Sequence, residues 1–116
     1  MIVVVSPFFM KYFVAGHASA ITLFPFIVLK NEKLKKNEVL MNHERIHIRQ
    51  QLELLVLGFY IIYLVEYVVR LIAYKNHFSA YRQISFEQEA YDYEEDFYYL
   101  KKRSFWAWMR SSYFKL

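Results

Sequence analysis

An apolar stretch at positions 54–74, LLVLGFYIIYLVEYVVRLIAY, most constrains what this chain can fold into. Its first twelve residues carry no charge, and Glu66 and Arg70 then interrupt it. These two residues are four apart with the acid first, so they could pair on one face of a helix. About 20 apolar residues suffice to cross a bilayer, although charged groups at that depth usually face a protein interior. The stretch therefore predicts an apolar helix over 59–74, either associated with a membrane or buried in a core.

The composition of the whole chain also favours long helices. Hydrophobic residues make up 57% of the 116 residues and aromatic residues 21%, with only 2 glycines and 2 prolines. So few breakers argue against a turn-rich β-sandwich, and the length suits one domain over 1–116. We therefore predict a mainly α-helical domain. The absence of cysteine excludes disulfides and thiolate ligands, so any zinc site must use His, Asp and Glu.

The net charge is +4, and basic residues are concentrated at 29–36 and 100–116. A modest basic excess beside aromatic residues suits a membrane surface at least as well as nucleic acid. The chain carries no RNA- or DNA-binding signature, so we predict no nucleic-acid partner. The first twenty residues are a poor signal peptide, because they lack a basic start and Lys11 interrupts their apolar run. We expect a membrane-associated protein, or otherwise a cytoplasmic one.

The N-terminal region, residues 1–30, is rich in β-branched and aromatic residues. Its segment AITLFPFIVLK, at 20–30, predicts a β-strand, and Pro25 within it favours an edge position or a bulge. We therefore expect a short N-terminal strand or hairpin before the helices.

A charged connector at 31–38 separates this region from the first long helix, predicted over 38–57. Asn37 is a suitable N-cap for that helix, and Gly58 marks a bend before the apolar helix.

A polar loop is predicted at 75–85, and a third helix over 85–103. Ser85 and Gln88 match a capping box at its start. Acids early in this helix and three basic residues at its end suit the helix dipole. An aromatic and basic tail, 104–116, completes the chain.

The first long helix carries the pattern His-Glu-x-x-His, at His43, Glu44 and His47. Residues four apart lie on one face of a helix, so both imidazoles can bind one cation. Glu44 lies about 100° round the helix from His43, close to such a metal but poorly placed as a ligand. It could hold a metal-bound water and accept its proton, because zinc lowers the pKa of that water toward about 7.

A catalytic zinc ion usually has three protein ligands, so the third must come from elsewhere in the chain. His77 lies in the predicted loop, whereas Glu87 and Glu89 lie at the start of the third helix. Glu87 shares a helical face with Ala90, and an alanine there allows close approach to the motif helix. Position therefore favours Glu87, and we interpret His17 as a structural residue.

Two other interpretations remain open. Short motifs occur by chance, and the polar residues of HERIHIRQQ could form a solvated face in a small membrane-associated helical protein. A catalytically degenerate protein that keeps the metal could act as a binding or sensor module. Gln50 and Gln51 favour a metal site, because they continue the polar side into an otherwise apolar helix, as residues that support metal ligands would.

The motif HERIH, followed about forty residues later by FEQEA, resembles the gluzincin metallopeptidases. The likeness is to their minimal, often membrane-embedded branch, which includes HtpX-type and CAAX-prenyl-protease-type enzymes and the sensor peptidases of β-lactam signalling. In that branch the ligand glutamate stands three residues before an alanine, as Glu87 does here. The resemblance implies a zincin-like helical domain in which His43, His47 and Glu87 bind Zn²⁺ and Glu44 is the general base.

The resemblance further implies a zinc-dependent metallopeptidase that hydrolyses a peptide bond. Its peptide or protein substrate would pair with a strand such as the one at 20–29. One position departs from the family pattern: the Asp that supports a ligand histidine is Tyr91 here, and Glu94 lies nearly one turn further on. Tyr91, Tyr81 and Arg82 are candidates to stabilise the oxyanion.

Overall fold

Three short strands form a small sheet near the N-terminus. They are β1 (Ile2–Val5), β2 (Ala20–Leu23) and β3 (Phe26–Leu29), seen in a computed structural model that describes residues 2–12 and 18–109. The central strand is β3, with β1 parallel to it on one side and β2 antiparallel on the other. Residues 20–30 are therefore a hairpin and not one strand. Pro25, which cannot donate a backbone hydrogen bond, lies in its turn and not in a strand.

The remainder of the described chain is mainly helical. The helices are α1 (Pro7–Tyr12), α2 (Glu38–Glu53), α3 (Leu57–Tyr74), α4 (His77–Gln83), α5 (Ser85–Tyr93) and α6 (Tyr99–Lys102), with a 3₁₀ helix at Glu32–Lys36. This confirms the predicted fold class, a mainly α-helical protein with a short N-terminal β element.

Helix α2 begins as predicted but ends four residues early. The side chain of Asn37 accepts a hydrogen bond from the backbone N–H of Leu40, as an N-cap does. The helix stops at Glu53 because the chain turns sharply through Leu55 and Val56, which both have positive φ. The predicted bend at Gly58 was wrong, since that residue lies inside α3.

The predicted loop at 75–85 contains the short helix α4. Asn76 caps it, because its side chain accepts a hydrogen bond from the N–H of Ser79. Helix α4 is only seven residues long and its sequence is largely polar, so it resembles a loop when only the sequence is read.

The predicted helix 85–103 is divided into α5 and α6 by a turn at 94–98. The proposed capping box is also wrong. Ile84 is the N-cap of α5, and the Ser85 hydroxyl instead donates to the buried carboxylate of Glu66 on α3. Glu66 also accepts from the Ser85 N–H, so this one carboxylate satisfies the start of α5.

Helix α2 contacts β2, α3 and α5, so it connects the sheet with the other helices. One apolar cluster lies on the α3 and α5 side, formed by Phe59, Ile84, Phe86 and Trp108. A second, formed by Ile27, Leu29 and Met41, joins α2 to the sheet. The motif on α2 is therefore enclosed by packed elements on several sides.

Candidate metal centre

Helix α2 places the three motif residues in the protein interior. His43, Glu44 and His47 are each buried, with 5% of the residue exposed. One ligand atom from each residue lies within 4.8 Å of the others, so this group can hold a metal ion. The alternative of a solvated helix face does not fit these residues, because solvent reaches little of them.

Glu87, from the start of α5, completes this cluster. Its Oε1 lies 3.2 Å from Nε2 of His43 and 3.0 Å from Nε2 of His47, and the two Nε2 atoms are 3.2 Å apart. The three atoms therefore form a nearly equilateral triangle. Tetrahedral zinc with bonds of about 2.0–2.1 Å holds neighbouring ligand atoms roughly 3.3 Å apart, so the triangle suits such an ion.

Glu94 determines the proton position on His43. Its Oε1 lies 2.9 Å from Nδ1 of His43, and a carboxylate can only accept a hydrogen bond. Nδ1 therefore carries a proton, and Nε2 is the nitrogen of His43 that faces Glu87. Glu94 therefore supports His43, whereas Tyr91 stands at the position where the resemblance would place a supporting Asp.

Asn42 explains why Glu94 can reach His43. Its side-chain amide donates to the carbonyl oxygens of Tyr93, Glu94 and Asp96, at 2.9–3.2 Å. These carbonyls belong to the end of α5 and the following turn, where helical partners are missing. Asn42, which precedes the predicted ligand His43, thus holds the segment that carries Glu94, and Glu94 supports His43.

Gln50 has the same effect on His47. Its Nε2 donates to the Phe86 carbonyl at 3.0 Å and to Glu89 at 2.9 Å, and both groups can only accept. The amide oxygen of Gln50 must therefore face Nδ1 of His47, at 2.8 Å, and accept a hydrogen bond from its N–H. Both histidines consequently place Nε2, and not Nδ1, at a corner of the triangle.

A buried ion-pair network fixes Gln50 in turn. Glu89 also binds Arg103 and the Tyr99 hydroxyl, and Arg103 makes two further hydrogen bonds to Glu53. The charged side chains of this network are at most 2% exposed. Arg103 is the C-cap of α6, and its side chain joins the end of α2 to α5. Such a network is costly to break because the remaining charges would be buried without a partner.

Thr22 on β2 positions Glu44. Its hydroxyl lies 2.9 Å from Oε1 of Glu44, while Oε2 of Glu44 lies 3.8 Å from Nε2 of His43. One carboxylate oxygen is thus held by the sheet and the other faces the cluster. Burial raises the pKa of Glu44, although His47 and His43 oppose this shift.

The cluster binds protons tightly when it holds no cation. Burial alone would lower the pKa of His47, but the adjacent Glu87 carboxylate outweighs it, and the pKa rises to about 9. Burial would likewise raise the pKa of Glu87, but contacts with His47 and His43 bring it well below its usual range. A metal ion must therefore displace a proton held between these groups.

Among the other predicted site residues, Tyr91 contacts the cluster, and Tyr81 and Arg82 contact Tyr91. Tyr91 packs its ring edge-on against His43, with centroids 4.5 Å apart, and its hydroxyl is 2.9 Å from that of Tyr81. Arg82 lies over the Tyr91 ring. By contrast, Nδ1 of His77 lies 2.8 Å from the Tyr67 hydroxyl, and His17 is outside the described residues.

One contact to the cluster was missed. The Tyr63 hydroxyl on α3 donates to Oε2 of Glu87 at 2.8 Å, so it leaves Oε1 to face the histidines. No motif signals this role, because Tyr63 is one of 11 tyrosines in the chain. The contact depends on how α3 packs beside α5, which residue spacing along the sequence does not reveal.

Gln51 connects the motif helix to the edge of the sheet. Its Nε2 donates to the Thr22 carbonyl at 3.0 Å, and its Oε1 accepts from the N–H of Phe24 at 2.8 Å. The side-chain amide thus binds the strand in the way a peptide group would. Its role is to hold β2 beside Glu44.

Comparison of this chain with protein families, with curated proteins and with solved structures gave no match.

Proposed function

We propose that this protein is a zinc-dependent metallopeptidase. His43, His47 and Glu87 are the proposed Zn²⁺ ligands, and Glu44 is the proposed general base. The nearly equilateral triangle of Nε2, Nε2 and Oε1 atoms, with both Nδ1 atoms engaged by acceptors, carries the proposal. The resemblance of HERIH and FEQEA to gluzincin motifs supports the choice of peptide hydrolysis.

The side chains divide the reaction between them. Zn²⁺, when bound, polarises a carbonyl group and makes a water molecule more acidic. Glu44 accepts the proton of the attacking water through Oε2, while Thr22 holds Oε1 in place. Because burial raises its pKa, Glu44 is a stronger base than an exposed carboxylate and can then protonate the leaving amine.

Two further groups fit the oxyanion role. The Tyr91 ring contacts His43, and its hydroxyl is hydrogen-bonded to Tyr81. A tyrosine whose ring contacts a ligand histidine is a candidate to donate its hydroxyl to a developing negative charge. We expect the pair Tyr81 and Tyr91 to act together, with Arg82 adding positive charge over the Tyr91 ring.

The proposed substrate is a peptide or protein segment that pairs with β2. Gln51 already binds the Thr22 carbonyl and the Phe24 N–H, so these two groups are not available to a substrate. Pairing is then restricted to the start of the strand, near Ala20, because alternate residues of β2 are hydrogen-bonded to β3. We therefore expect short substrate pairing, with most of the specificity coming from side-chain contacts.

Metal content and hydrolysis test the proposal separately. We expect the purified wild-type protein to hold one zinc ion per chain by elemental analysis. His43→Ala and Glu87→Ala should lose it, while Glu38→Gln, at an exposed position of the same helix, should keep it. Glu44→Gln should keep the metal but lose cleavage of fluorescently labelled casein by about 10²-fold or more.

Each outcome has a defined meaning. Zinc that persists in both ligand variants would overturn the ligand assignment. Zinc without any cleavage by wild-type protein would favour the alternative, a degenerate metal-binding or sensor module. A wild-type protein that binds no zinc would leave the motif fortuitous and reject the proposal.

A further inference from the structure

Helix α3 has two faces of different character. Its inner face carries Phe59, Tyr63 and Glu66, which contact the apolar core, Glu87 and Ser85 respectively. The opposite face is aliphatic. An apolar helix face normally lies against a protein core or in lipid. Here protein covers little of it, since only 11% of the Leu57–Tyr74 window is buried, and the helix is long and apolar enough to cross a membrane.

The exposed face is a continuous stripe. We define the outer stripe as Leu57, Ile61, Leu64, Val65, Val68 and Ile72, whose exposed fractions run from 45% to 72%. At 100° per residue these six positions fall within an arc of about 100°. The ionisable residues of α3, Glu66 and Arg70, fall on the other half of the helix. The outer stripe is therefore an uncharged apolar surface along nearly the whole length of α3.

The chemistry of the stripe favours lipid over a protein partner. Protein interfaces contain about one hydrogen bond per 100–200 Å². The six side chains of the stripe carry no hydrogen-bonding group, and the helix backbone is satisfied internally. Tyr60 lies beside the stripe, but its hydroxyl is directed to the Thr22 carbonyl. Hydrocarbon forms no hydrogen bonds, so it matches this surface better than a second polypeptide, whose interface would normally include hydrogen bonds.

Neighbouring residues extend the apolar surface. Ile61 and Val65 also line a groove of about 450 Å³ together with Trp108 and Met109 from the C-terminal segment. Phe105 and Trp106 are exposed nearby in sequence, and Tyr74 and Lys75 end the helix. Aromatic and basic residues beside an apolar surface are typical of the boundary between hydrocarbon and lipid headgroups.

We propose that α3 lies in the plane of a lipid bilayer, with its outer stripe inserted into the hydrocarbon. The inner face keeps its contacts to Glu87 and Ser85, so the metal centre stays within the protein while the helix rests on the membrane. This geometry is that of an interfacial helix, held by its apolar face. The inference does not depend on metal binding.

Vesicle flotation tests this inference. We expect full-length wild-type protein to float with phosphatidylcholine vesicles, and to remain bound in 1 M salt because the stripe is uncharged. The double variant Leu64→Glu with Val68→Glu should bind at least about tenfold more weakly. The double variant Phe97→Glu with Tyr98→Glu, which places the same two charges at exposed aromatic positions outside α3, should bind like wild type.

The circular dichroism melting curve checks that each variant is folded. Equal flotation of wild type and the α3 double variant would overturn the proposal. So would binding only to vesicles with phosphatidylglycerol, lost in salt, because that would indicate attraction by basic residues. A wild-type dimer in solution that the α3 double variant abolishes, without vesicle binding, would assign the stripe to a second copy. None of these results alters the zinc and cleavage tests.

Discussion

Single side chains outside the proposed ligand set determine which nitrogen of each histidine faces the cation. Glu94 and Gln50 each accept a hydrogen bond from the Nδ1–H of one imidazole, and each is itself held by another residue. Asn42 holds the backbone of Glu94, and Glu89 holds the amide of Gln50. Partners of this kind commonly change metal affinity by 10–100-fold.

Replacement of Glu94 by alanine tests whether this residue supports His43. We expect Glu94→Ala to weaken zinc binding by about 10–100-fold, since the His43 ring loses its acceptor and its fixed orientation. Competition with a fluorescent zinc chelator would measure the dissociation constant. Glu95→Ala, an exposed neighbour, is the matched control and should bind like wild type. Equal affinity in both variants would show that Glu94 does not support the ligand.

The sequence predicts the four principal residues and Gln50 as a supporting residue, but not the other supports. His43, Glu44 and His47 follow from helical spacing, and Glu87 from its place before Ala90 on a second helix. The role of Glu94 could not be predicted, because it depends on α5 ending at Tyr93. Asn42 stabilises that end through contacts more than fifty residues away in sequence. Long-range hydrogen bonds of this kind leave no local pattern.

At the level of elements, the turn between α2 and α3 sets how the apolar helix meets the metal centre. The N–H of Leu57 donates to the Leu55 carbonyl at 2.6 Å, so Val56 is the central residue of a γ-turn. Its φ of 63° and ψ of −60° are unfavourable for a β-branched residue. Residues 54–56 include no glycine or proline, which is why the sequence predicted a helix to residue 57.

Relief of this strain should stabilise the protein. We expect Val56→Gly to raise the free energy of unfolding by about 1 kcal/mol, because glycine adopts positive φ without a Cβ clash. Urea denaturation of the zinc-free protein would measure the change. Val39→Gly, at a helical position of α2, should lower stability by about 1 kcal/mol and serves as the contrast. Lower stability for Val56→Gly would contradict the strained turn.

At the level of the whole molecule, the buried cluster couples stability to pH. Folding raises the pKa of His47 from 6.5 to about 9, so it favours the protonated ring. The stabilisation is complete below pH 6.5 and is lost as the pH rises through 9. Zinc displaces this proton, so the stabilisation by added zinc should increase over the same interval.

This coupling can be measured with one variant. In the presence of EDTA, we expect wild type to be more stable than His47→Gln at pH 6, with the difference falling by on the order of 3 kcal/mol between pH 6.5 and 9. Urea midpoints at several pH values would give the difference. A difference that is constant across this interval would show that the His47 and Glu87 pair does not hold the proton.

The contact between Gln51 and β2 has a consequence for solubility. In the described sheet β2 is an edge strand, and exposed strand edges are sites where chains associate into larger sheets. The Gln51 amide occupies the Thr22 carbonyl and the Phe24 N–H, so another chain cannot extend the sheet along this half of the strand. One glutamine side chain thus protects a hydrophobic, aromatic-rich protein against aggregation through this edge.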